Sequence, residues 1–130
     1  MKQNYSTEKY HFFSEINSVC FERKLENETA FDGIVKIYSL KTSIENIDQK
    51  LNGSFFGDFF CSTGKGVFLR KFENKDSWPI STLIYLDLIN LTVIEVDRNN
   101  SSRNIWTGKN LENGKFSIEI SPTESIEFQT

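Results

Sequence analysis

Asp87, Glu95 and Asp97 are the side chains in this sequence whose type and spacing come nearest to acid–base chemistry. On a strand, residues two apart point to the same side, so Glu95 and Asp97 would share a face, as would Tyr85 and Asp87. Like charges held close raise the pKa of one member, which lets a carboxyl pair act as acid and base. The same residues also stand near Arg98 and Arg103, and a run of mixed charge is ordinarily a solvated strand face.

Other constellations fail on spacing. His11 is the sole histidine, and with Cys20 and Cys61 it supplies no recognisable zinc spacing. Gly64-Lys65-Gly66 lacks the hydroxyl residue that must follow the lysine of a phosphate loop, and reads as a hairpin loop. Asp48, Asp58 and Asp76 lack the alternation of a calcium loop. No metal or cofactor is therefore expected. Trp78 and Trp106, with Tyr85, suit either a stacking platform for a sugar or base, or core anchors. Trp106 lies in the polar stretch Asn104 to Gly108 and reads as the surface aromatic of the two, while Trp78-Pro79 reads as structural.

The elements that would carry these residues follow from periodicity. Residues 6–26 predict a helix: Ser6 can cap it, and Tyr10, Phe13, Ile16 and Cys20 recur at spacings of three and four. After Asp32-Gly33, residues 34–40 read as a strand. Thr42 and Glu45 form a capping-box pair for a second, short helix with Ile44, Ile47 and Leu51 on one face. Asn52-Gly53 fits either a left-handed stop or a hairpin turn, and the helical period favours the stop. Residues 55–61 and 67–72 flank a hairpin loop, and Pro79 excludes a central strand at that point. Residues 82–96 read as two strands broken between Asp87 and Asn90, with a helix starting at Pro79 as the rival. Asn99 to Ser102 reads as a turn, and residues 115–120 and 125–128 alternate as strands joined around Pro122. The expected fold is α+β: an N-terminal helix and a short second helix packed on a mainly antiparallel sheet.

With 130 residues, the chain fits a single domain, 1–130, with room for a core. The aromatic share is 14% with twelve Phe, which suggests a Phe-filled core or an exposed aromatic patch. Net charge is -3, and it is spread evenly: residues 1–51 hold seven basic and eight acidic groups, 52–98 five and six, 99–130 three and four. Nucleic acid is not an expected partner without a clustered basic footprint. No apolar run follows the first residues and none approaches a membrane span, so a cytoplasmic protein is expected. Both cysteines then read as small buried hydrophobes.

Three functions fit: a protein-binding module, a carboxylate enzyme around Asp87, Glu95 and Asp97, or a small-ligand or carbohydrate binder using Trp78 and Trp106. Phe55-Phe56-Gly57-Asp58-Phe59-Phe60, the Asn99 to Ser102 loop and the acidic pair Glu124 and Glu127 give the chain a profile that resembles bacterial immunity proteins of contact-dependent inhibition and other polymorphic toxin systems. The resemblance rests on no diagnostic motif. It implies a non-enzymatic, stoichiometric inhibitor that occludes a cognate toxin domain by steering an acidic face onto it. Asp87, Glu95, Asp97 and, as aromatic anchor, Trp106 are the contacts expected under that reading.

Overall fold

The computed structural model describes residues 9–30 and 34–130. Among them are ten strands and one helix: β1 His11–Ile16, β2 Val19–Ala30, β3 Ile34–Thr42, α1 Glu45–Leu51, β4 Phe55–Ser62, β5 Gly66–Phe72, β6 Ser81–Asp87, β7 Thr92–Asn100, β8 Thr107–Asn110, β9 Lys115–Ser121 and β10 Glu124–Gln129. Strands β1 to β7 form one antiparallel sheet in chain order, and β10, β9 and β8 form a second, three-stranded sheet. No helix of the described residues is long and apolar enough to cross a membrane.

The expected α+β fold with an N-terminal helix is therefore overturned: the chain is mostly β. The proposed cap Ser6 lies outside the described residues, as does the Asp32-Gly33 turn. The remainder of that stretch is the β1–β2 hairpin, closed by Asn17 (φ 51°) and Ser18 (φ 67°). Two successive left-handed residues give a turn whose twist matches that of paired strands. The turn also explains the misleading period. Phe13 and Ile16 lie before it and Val19 and Phe21 after it, so a two-residue insertion imitates helical spacing.

The short helix is as expected over Ile47 and Leu51, both buried, but its start is built differently. Ile44 occupies the N-cap and makes no side-chain cap bond. Thr42 pairs with Asp48 rather than Glu45: Asp48 Oδ1 accepts from Thr42 N at 2.6 Å, and Thr42 Oγ1 accepts from Ile44 N at 3.1 Å. Gly53, at φ 83°, supplies the left-handed exit. Residues 82–96 are two strands as expected, and the helical rival does not form.

Strands β5 and β6 are buried almost end to end, because both faces of the large sheet are covered there. Alternation sends Val67, Leu69, Ile84 and Leu86 to one side, where they join Ile47 and Leu51 of α1 and Ile16, Val19 and Phe21 of the first hairpin. Phe68, Leu83 and Tyr85 face the other way and meet Phe116, Ile118 and Ile120 of β9. The small sheet thus lies over the second face. The two sheets come close at Gly108, where a Cβ would stand 2.3 Å from Cys61 Sγ on β4. Cys20 and Cys61 form no disulfide.

Candidate functional site

Arg70 occupies the middle of β5 on the face it shares with Phe68 and Phe72. An arginine in a central, doubly covered strand has nowhere to send its charge. Only 5% of the residue is exposed. The neighbouring strand makes room for it. In the β4–β5 pairing, Phe56 opposes Lys71 and Phe60 opposes Leu69, so Gly57, Asp58 and Phe59 bulge out opposite Arg70 alone.

The guanidinium is sandwiched between aromatic rings, 4.1 Å from the Trp106 centroid and 4.7 Å from that of Trp78, with Phe72 at 5.6 Å. Its hydrogen bonds run only to neutral acceptors. Nε donates to Ser81 Oγ at 2.8 Å, Nη1 to the Asn104 carbonyl at 3.0 Å, and Nη2 to the carbonyls of Ser102 and Pro79 at 2.5 and 3.4 Å. No carboxylate lies within ion-pair distance of it among the described residues. Burial alone pushes its pKa down to about 10, so it remains a cation at neutral pH.

This group lines a cavity of about 770 Å³ between the bulged β4 and the connector 101–106 that leads to the small sheet. Phe59, Trp78, Ile105 and Trp106 form apolar walls, and Lys36, Asp58 and Arg103 stand among the charged lining residues. Trp106, only 3% exposed, is not the surface aromatic expected of it. The reason lies in the connector: Arg70 binds the carbonyls on either side of Arg103, and that draws the Trp106 ring inward against Phe59 at 5.9 Å. The indole Nε1 atoms of Trp78 and Trp106 are both buried without an acceptor among the described residues.

The expected carboxylate cluster does not assemble. Asp87 caps the β6–β7 turn, where Oδ1 accepts from Ile89 N and Asn90 N at 2.9 and 3.0 Å and Oδ2 from Asn90 Nδ2 at 2.9 Å. The bonds from Asn90 hold its carboxyl below the usual range, opposite to what a general acid needs. Glu95 and Asp97 were expected on one face, but a bulge separates them. Glu95 opposes Ile84 while Asp97 opposes Leu83, so the two carboxyls point to opposite sides of the sheet. Glu95 pairs with Arg98 at 2.5 Å and Lys71 at 3.8 Å, and Asp97 accepts from Asn100 Nδ2 at 3.0 Å. His11 is exposed at the start of β1, and no cluster of potential metal ligands occurs among the described residues.

Sequence reasoning placed both tryptophans among the candidates and missed Arg70. The missed signal was a single basic residue at the position of the apolar face between Phe68 and Phe72. Compared with known proteins, the chain matches no family model, no curated protein and no solved structure.

Proposed function

We propose that this chain works by binding, and that its ligand seats in the cavity between the two sheets. The observation that carries the reading is the convergence of Arg70, Trp78 and Trp106 on one open, largely apolar space. Binding sites are typically concave and apolar with a few placed polar groups, and this cavity falls within their usual size of roughly 300–1,000 Å³. The three carboxylates of the enzyme reading are engaged elsewhere, each by its own neighbours. Because Trp78 and Trp106 are the chain's two tryptophans, their indole N–H resonances report on the site without labelling. A fragment panel screened by NMR is expected to yield compounds that move both indole peaks together. A panel that moves neither would end this reading.

A second reading is the immunity-type inhibitor, acting in the cytoplasm on a toxin domain. It is favoured by the position of β7 at the edge of the large sheet among the described residues. Asp87, Glu95 and Asp97 lie at or beside that edge, together with the exposed Ile94 and Ile89. An edge strand offers backbone groups to a partner strand, and exposed isoleucines add apolar area. Under this reading a tagged chain retains one stoichiometric toxin domain, and Ile94→Lys loses it. Equal retention by both forms would remove β7 as the docking edge.

A further inference from the structure

We propose that the cavity selects an organic anion, a small molecule with an apolar body and one negatively charged group directed at Arg70. This inference rests on the binding reading above and adds the charge of the ligand. Its basis is an imbalance in the cavity wall. Arg70 carries five N–H donors, and four hydrogen bonds engage it, all to uncharged oxygens. Buried cations are normally matched by a carboxylate, since a charge removed from water costs several kcal/mol by the usual order of magnitude. Here the aromatic sandwich and backbone carbonyls stand in for that carboxylate. Among the described residues, the lining sets Lys36 and Arg70 against one acid, Asp58, and Asp58 is already 3.5 Å from Arg23. Both wall tryptophans bury an indole N–H with no acceptor among the described residues. Two N–H donors without acceptors and a cation matched by no carboxylate therefore stand in the wall of this largely apolar space among the described residues. In such a setting a negative group gains more than it would on an open surface. Phe59, Ile105 and Trp106 would cover its apolar part.

The test uses two fluorescent probes that differ in charge. 8-Anilinonaphthalene-1-sulfonate is an aromatic anion, and N-phenyl-1-naphthylamine is nearly the same body without the sulfonate. Both accept energy from tryptophan, so loss of tryptophan emission reports binding beside Trp78 and Trp106. The anion is expected to bind the wild-type chain at least about tenfold more tightly than the neutral probe. Substituting Arg70 risks freeing the connector it holds, so the paired variant is Ile105→Glu. Ile105 is 89% exposed and lines the cavity, so a carboxylate there leaves the core intact. Both probes lose the apolar contact with Ile105, so the charge shows in the difference: Ile105→Glu is expected to weaken the anion about tenfold more than the neutral probe. Equal affinity for both probes, each quenching tryptophan, would overturn the anion inference and leave the binding reading standing. Binding of neither probe beside the tryptophans, or affinities that Ile105→Glu leaves unchanged, would overturn both.

Discussion

Tyr38 illustrates how a single side chain ties this fold to pH. Its ring is buried beneath Arg23, 4.2 Å from the guanidinium, and the Asp58 carboxylate stands close enough to act on its hydroxyl. Burial first, and then the charge of Asp58, push its pKa up to about 12, with Arg23 opposing them. The unfolded chain would release this proton near 10, so the favourable contribution is complete below pH 10 and lost as pH rises towards 12. Tyr38→Phe is accordingly expected to remove a phenolate absorbance step near pH 12. It should also flatten the loss of stability between pH 10 and 12, as followed by alkaline denaturation. Arg70 belongs to the same scale. It was legible in the sequence only as a break in an apolar alternation, because an arginine code letter says nothing of whether its partner is a carboxylate, a carbonyl or a ring. Trp78 and Trp106 were legible as aromatic candidates. That they meet across Arg70 depends on a connector whose course is set by backbone carbonyls, which the side-chain sequence does not display.

Elements differ in how openly they announce themselves. Strands β9 and β10 have one wet and one dry face, so their alternation could be read directly. Strands β5 and β6 are dry on both faces and read as continuous apolar runs, for which the flanking Gly and Pro gave the bounds. The first hairpin was illegible because its turn is Asn17-Ser18, without the glycine that usually marks a left-handed pair. The bulge that splits Glu95 from Asp97 was equally hidden: one extra residue reverses a side chain without changing composition. Close approach is a further property of elements. Gly108 of β8 leaves no room for a methyl group against Cys61 of β4, and Ile118 Cδ1 would lie 3.4 Å away on another side. Gly108→Ala is expected to cost about 1–3 kcal/mol through overpacking, measured by chemical denaturation. Adding Cys61→Ala should recover part of that loss, since the sulfur is the nearest obstacle. No recovery would mean that the sheets meet elsewhere.

At the scale of the whole molecule, two apolar layers share one pair of strands. The cluster around Phe21, Ile47 and Ile84 and the cluster around Phe68, Leu83 and Ile118 sit on opposite faces of β5 and β6. Damage to that pair should therefore be felt on both sides, whereas damage to β9 should stay on one. Phe68→Ala is expected to destabilise the protein by about 3–5 kcal/mol, a large share of the roughly 5–15 kcal/mol that holds a domain together. Native-state hydrogen exchange should find the amides of β5 and β6 slowest, and those of β1 and β10 fastest. Equal protection across the ten strands would contradict this layering. The overall class was misread for one reason only: the helical reading of residues 6–26 turned an all-but-β chain into a mixed one.

Strand order carries a consequence for how the chain assembles. Every strand in both sheets lies beside its neighbour in sequence, so each ladder closes over a local connection, the longest being residues 43–54 with α1, and can propagate strand by strand. The connector 101–106 joins two meanders that can each form from local hairpins, and their docking is the step that dehydrates Arg70. If docking follows the rate-limiting barrier, the Arg70 contacts are absent from the transition state. Their loss would then leave the refolding rate unchanged and appear almost entirely as faster unfolding.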